Sequence, residues 1–187
     1  PDDYGSFHAI TGCINRTYFD NIFENIRYFQ SKRIPVKINY VLCKGKNTFD
    51  SQINSILQFA SENEYINLRF LETVANSTNN ESGQMLPYLF SEDAFIQLLE
   101  NTSFSGFRKV DKDTRSSVFL YDPRSGLRIK YIRSFCSDEC DACPTDKSSL
   151  WLTSTGCIKT CSFRSKMEPI KSWTYEDIHE QLARLFT

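Results

Sequence analysis

Seven cysteines stand in the sequence, and five of them (Cys136, Cys140, Cys143, Cys157 and Cys161) fall within 26 residues. Thiolates packed that closely suit an iron–sulfur cluster or another soft metal. Zinc is the second reading. Disulfides come third, because a disulfide framework spreads an even number of cysteines along a small secreted chain. Cys13 and Cys43 stand far from the group and read as buried free thiols acting as small hydrophobes. A second set of polar side chains lies on strand-like runs. Lys37 and Asn39 alternate with Val36 and Ile38, so both face one side of a strand. Arg69 is suited to a phosphate or carboxylate group, or to an ion pair with Glu72 or another strand-end acid. Arg128, Lys130 and Arg133 read as a solvated strand face that also suits the approach of an anionic substrate. His8 and His179 have no partner pattern and read as ordinary surface or core histidines. Trp151 and Phe163 read as packing around the cysteine group.

These residues need elements to hold them. Tyr18, Phe19, Ile22, Phe23, Ile26 and Phe29 have helical spacing, which predicts a helix over 15–30 capped by Asn15 or Thr17. Val36–Leu42 reads as a strand after Pro35, and Lys44–Asn47 as a glycine-containing turn. Asp50 is read as the cap of a second helix bearing Ile53, Ile56, Leu57 and Phe59. Asn67–Glu72 is a second strand. Helix, strand, helix, strand in short units indicates parallel α/β structure. The Asn/Ser-rich stretch 75–84 reads as an exposed loop. Ser91 opens a helix over Glu92–Glu100. Phe107–Val110, Ser117–Tyr121 and Leu127–Arg133 follow as short strands, the last two joined by a turn at Asp122–Gly126. Beyond the first cysteines, Leu150–Thr153 and Ile158–Cys161 flank a Ser-Thr-Gly turn as another hairpin. A final helix over Tyr175–Leu185 is capped by Thr174.

Composition narrows the class. The chain has 187 residues, with 22 basic and 23 acidic side chains and a net charge of −1, which excludes a nucleic-acid binder working by bulk charge. Hydrophobic residues make up 40% and aromatics 14%, enough for a core and too much for a disordered chain. No apolar run approaches the length of a membrane-spanning helix. No signal-peptide pattern precedes the first predicted element. The chain begins at Pro1, and further residues are expected upstream.

Three stretches, in order, resemble the radical S-adenosylmethionine GTP 3′,8-cyclases of molybdenum cofactor biosynthesis in their C-terminal part. The first is Phe7-His-Ala-Ile-Thr-Gly12, a helix, then Val36-Lys-Ile-Asn39 and Gly45-Lys-Asn47. The second is Leu68-Arg-Phe-Leu-Glu72. The third runs from Phe135-Cys136 through Cys140-x2-Cys143 and Leu150-Trp-Leu-Thr-Ser-Thr-Gly156 to Cys161. Together they cover most of residues 7–163. The resemblance implies an α/β fold: the C-terminal part of a partial (β/α)6 barrel, followed by a small Cys-rich extension with short antiparallel strands. Residues 1–90 would be the last barrel units and 91–187 the extension carrying an auxiliary [4Fe-4S] cluster. Lys37, Asn39 and Arg69 would contact substrate or S-adenosylmethionine from the barrel interior. Cys140, Cys143 and Cys161 would ligate the cluster, with Cys136 or Cys157 available as a fourth ligand.

The resemblance implies further chemistry. The complete polypeptide would cleave S-adenosylmethionine reductively at a cluster held by other residues, and the resulting 5′-deoxyadenosyl radical would take hydrogen from substrate. A flavodoxin or ferredoxin would supply electrons. Cys136, Cys140 and Cys143 also show the Cys-x3-Cys-x2-Cys spacing of the radical-generating loop. Only 44 residues follow Cys143, too few for the barrel such a loop precedes, so the auxiliary reading is preferred. This chain alone would therefore lack radical activity. Departures from the family argue against GTP as substrate. Its arginines after the second cluster cysteine are absent, with Leu150 and Trp151 at the matching strand positions. Its C-terminal Gly-Gly is absent too. A natural-product precursor, a nucleotide analogue or a peptide is expected instead. A peptide-modifying radical enzyme and a zinc-stabilised binding module without catalysis remain as alternatives. Cluster thiolates predict a reducing, cytoplasmic location.

Overall fold

The computed structural model describes residues 3–74, 86–110, 117–134, 150–159, 168–170 and 174–186. They form two units, one holding the described residues up to Ser134 and the other those from Leu150 onward. Residues 91–134, expected in the Cys-rich extension, lie in the first unit. The loop expected at 75–84 is outside the described residues.

The first unit opens with helix α1 (Tyr4–Thr11), which the sequence pattern does not announce. The Asp3 carboxylate accepts from the Ser6 amide at 2.8 Å, and Gly12 closes the helix at φ 70°, a left-handed conformation that favours glycine. Helix α2 (Arg16–Ser31) is capped by Asn15, whose Oδ1 accepts from the Thr17 amide at 3.0 Å. Strand β1 (Val36–Leu42) follows, then helix α3 (Asp50–Ser61) and strand β2 (Ile66–Glu72). Asp50 is not the cap of α3. Phe49 holds that position without a side-chain bond, and Asp50 is the first helical residue, where its negative charge meets the positive end of the helix dipole. Helix α4 (Glu92–Glu100) has Ser91 as its cap, the hydroxyl accepting from the Ala94 amide at 3.3 Å.

Strands β3 (Arg108–Lys109), β4 (Ser117–Tyr121) and β5 (Arg128–Ile132) complete one five-stranded sheet in the order β1-β2-β5-β4-β3. β1, β2 and β5 run parallel, whereas β4 and β3 are antiparallel additions. The fold is therefore mixed α/β. The buried Asp122 carboxylate fixes the β4–β5 turn by accepting from the Arg124 and Ser125 amides, at 3.2 and 3.3 Å, and from the Ser125 hydroxyl at 2.7 Å. Gly106 packs against that carboxylate so closely that a Cβ there would lie 2.6 Å from Oδ1.

One face of the sheet carries the core. Tyr40, Leu42, Leu68, Phe70, Val118, Leu120, Ile129 and Tyr131 alternate inward along their strands and meet Ile53 and Leu57 of α3 and Phe95, Leu98 and Leu99 of α4. α2 contributes less, with only Phe19 buried, through the aromatic sequence Phe19, Phe23, Phe59.

Glu92 ties α4 to the sheet. Its carboxylate receives Arg133 Nε at 2.5 Å and Lys109 Nζ at 2.8 Å. Burial alone would raise this carboxyl, but the two hydrogen bonds and charges outweigh it and hold it below the usual carboxylate range. A depressed folded-state pKa contributes stability above the unfolded value, and that stability is lost as pH falls through the folded one. Glu92→Gln should therefore cost about 1–3 kcal/mol at neutral pH. In urea melts repeated from pH 7 to pH 3, the gap between variant and parent should close toward the acid end.

The second unit has a three-stranded antiparallel sheet, β6 (Trp151–Leu152), β7 (Cys157–Lys159) and β8 (Glu168–Pro169), and helix α5 (Tyr175–Phe186). The β6–β7 turn closes with Gly156 at φ 72° and the Thr153 amide donating to the Cys157 carbonyl at 2.9 Å. Gln181 of α5 donates from Nε2 to the Pro169 carbonyl at 3.0 Å. Thr174 caps α5 as expected, its hydroxyl accepting from the Asp177 amide at 3.4 Å. Among the described residues no helix is long and apolar enough to cross a membrane.

Candidate functional site

The face of the five-stranded sheet opposite α3 and α4 is the candidate site. Strand alternation puts Lys37 and Asn39 there together, both exposed, as the sequence reading expected. Arg69 joins them because the parallel register sets it beside Asn39. Lys130 of β5 is the next residue in the row and Phe119 of β4 the one after, giving Asn39–Arg69–Lys130–Phe119 across four strands. A second row toward the carboxyl ends, Val41–Leu71–Ile132–Ser117, is mostly apolar.

Arg69 makes no ion pair with Glu72. The two lie on opposite faces, and Glu72 Oε2 accepts from the Ser134 amide at 2.5 Å. Arg69 Nε donates instead to Asn67 Oδ1 at 3.3 Å, on its own face. Arg133 likewise departs from the expected solvated set. It is odd-numbered where Arg128 and Lys130 are even, so it turns to the core face and meets Glu92. Phe119 was missed in the sequence because nothing in a single strand names its neighbour. The guanidinium of Arg128 lies 4.8 Å from the Phe119 ring centroid and the Lys130 ammonium 4.9 Å.

At the carboxyl end of β1 the Gly45-Lys-Asn47 turn is built by Asn47, which is 2% exposed. Its Oδ1 accepts from the Cys43 amide at 2.8 Å, and its Nδ2 donates to the Val41 carbonyl at 2.7 Å. Tyr40 donates its hydroxyl to the Asn47 carbonyl at 2.9 Å. Thr73 donates to the Leu42 carbonyl and lies 3.8 Å from Cys43 Sγ. Cys13 and Cys43 are free thiols, half-buried rather than buried. His8 Nδ1 lies 3.0 Å from the Cys13 carbonyl, and His179 stacks on Tyr175 at 5.9 Å.

Of the five clustered cysteines, only Cys157 is among the described residues; Cys136, Cys140, Cys143 and Cys161 lie outside them, as does Phe163. Cys157 is a free, half-buried thiol on β7, with the Thr155 hydroxyl 3.8 Å from its sulfur. An all-thiol donor set fits a soft metal or an iron–sulfur group better than magnesium or calcium. Among the described residues no three metal-ligating side chains converge. Trp151, expected to pack around the cysteines, is 47% exposed. No protein-family model matches the chain.

Proposed function

We propose that the chain forms the C-terminal part of a radical S-adenosylmethionine enzyme similar to the GTP 3′,8-cyclases, acting on a small substrate other than GTP. The observation carrying this reading is the polar face of the three parallel strands of the sheet, on which no helix packs among the described residues. Parallel sheets ordinarily have both faces covered. Here α3 and α4 cover one face, while the other presents Lys37, Asn39 and Arg69. Helix-backed parallel strands with a polar opposite face suit the inner wall of a partial (β/α)6 barrel. Among the described residues β1 ends the sheet, an edge on which further parallel strands could add.

On that wall the three side chains have separable roles. Arg69 offers a planar fork to a carboxylate or phosphate, with Asn67 steadying its Nε. The Lys37 ammonium adds a point charge, and the Asn39 amide both donates and accepts. Cys140, Cys143 and Cys161, with Cys136 or Cys157 as a fourth ligand, would hold the auxiliary cluster in the second unit. Such a cluster, when bound, transfers electrons if four thiolates close it, or binds substrate if one iron is left open.

Anaerobic reconstitution with iron and sulfide tests the reading. Iron and sulfide should bind in equal amounts with broad visible absorption. Cys140→Ser, Cys143→Ser and Cys161→Ser should each lose most of that iron, whereas Cys13→Ser and Cys43→Ser should keep it. Stoichiometric, colourless zinc, or cysteines joined in disulfides, would overturn it.

A further inference from the structure

A groove of about 570 Å³ runs between α2 and α3, and no strand residue lines it. It is therefore separate from the sheet face to which the roles above belong. Its floor is aromatic: Phe19 and Phe23 come from α2 and Phe59 from α3, with Ile56 beside them. The Phe19 and Phe23 rings lie 5.4 Å apart at 72°, and the Phe23 and Phe59 rings 5.8 Å apart at 83°. Phe23 thus stands nearly perpendicular to both neighbours. Phe23 and Phe59 are only half-buried, so part of each ring is left open.

The charges follow from the sequence of α2. The pairs Phe19-Asp20 and Phe23-Glu24 repeat one helical turn apart, so each ring is followed by a carboxylate on the same side of the groove. Arg27, one turn further, is the one base in the lining, which leaves the lining net negative. Asp20 meets Arg16 at 3.7 Å, but both are well exposed and such a pair is weak. Cations of this chain do settle on rings: Arg16 on Tyr4, Lys32 on Tyr28, Lys46 on Tyr88, and Arg128 and Lys130 on Phe119. Among the described residues none settles on Phe19, Phe23 or Phe59, and Arg27 is no exception. The ring quadrupole attracts a cation most when that cation gives up little water to reach it. A primary ammonium is compact and strongly hydrated. A quaternary ammonium spreads its charge over methyl groups, which also suit an apolar floor. The volume is that of a small-molecule site.

We propose that this groove binds a small quaternary ammonium ion, its methyl groups against Phe23 and Phe59 and its charge balanced by Asp20 and Glu24. The probes are choline and 3,3-dimethylbutan-1-ol, which has the same shape without the charge. Each is titrated into the chain and followed by calorimetry and amide chemical-shift mapping. Choline should saturate at one per chain in the millimolar range, shift the Glu24 and Ser55 amides, and weaken as salt is raised. The uncharged alcohol should bind at least about fivefold more weakly, the scale of a partly exposed cation–ring contact. Phe23→Leu, which keeps an apolar side chain but removes the ring, should weaken choline about fivefold and leave the alcohol unchanged. Glu24→Gln, at an exposed position that does not threaten folding, should weaken choline about threefold and flatten its salt dependence. Tyr28→Leu, on the same helix but outside the groove, should change binding less than about twofold. Native circular dichroism confirms that each variant folds. The proposal is overturned if choline does not saturate below about 50 mM, if the alcohol binds as tightly as choline, or if folded Phe23→Leu and Glu24→Gln both bind choline like the parent. None of these outcomes touches the iron and sulfide measurement, so the two readings fall separately.

Discussion

Phe95→Ala should lower the free energy of unfolding by about 3–5 kcal/mol, measured by equilibrium urea denaturation of the chain. Phe95 is fully buried at the centre of α4. Its ring lies 4.6 Å from that of Phe70 on β2 and 5.2 Å from that of Tyr131 on β5, and Phe70 in turn lies 5.5 Å from Tyr40 on β1. Four aromatic rings thus bridge the helix and all three parallel strands. Truncation removes the hub and leaves a cavity walled on one side by hydrogen-bonded strands, which have little freedom to collapse into it. Phe95→Leu, which keeps most of the volume, should cost less than half as much. A loss below about 1 kcal/mol for the alanine variant would mean that α4 is not seated on this sheet. The opposite face depends on the same packing, because α4 backs the strands that bring Arg69 and Lys130 into one row.

Within that architecture, the elements with strong local signals were readable from the residues alone. β1 was bounded by Pro35 and a glycine turn, and α2 carried six apolar residues at helical spacing behind Asn15. Strand alternation was enough to place Lys37 and Asn39 together. It also contained the separation of Arg133 from Arg128 and Lys130, which grouping by charge hid. Strand partnership was not readable. Period-two patterning fixes which face a side chain takes but not which strand lies beside it. The run from 107 to 133 therefore read as a separate extension, although β5 pairs with β2 and adds Lys130 and Phe119 to the site. Helix α1 was hidden because its eight residues have no acidic first turn and bury no side chain completely. Asp50 misled for a related reason: an acid is favourable both at a cap and inside the first turn, and composition does not distinguish them.

The Gly45-Lys-Asn47 turn offers a test of whether a motif residue builds the site or touches its ligand. Asn47→Asp should destabilise the chain at neutral pH by about 3 kcal/mol or more, the scale of leaving a buried charge unpaired. The two side chains have nearly the same shape, so the effect isolates hydrogen bonding. Asn47 Nδ2 donates to the Val41 carbonyl at 2.7 Å, and a carboxylate there would set oxygen against oxygen. Of the two side-chain bonds, only that from the Cys43 amide, 2.8 Å long, would survive. Burial and the facing carbonyl should raise the introduced carboxyl above its unfolded value. The sign then follows: a raised folded-state pKa gives full stability below the unfolded value and loses it as pH rises through the folded one. Urea melts from pH 3 to pH 8 should show the variant approaching the parent at the acid end, where the protonated carboxyl donates to Val41 again, and diverging as pH rises. A variant as stable as the parent at pH 8 would mean that Asn47 does not hold the turn. With its amide free, the residue would then be a candidate ligand contact, and the carboxyl end of β1 would have to be organised by Tyr40 and Thr73 alone.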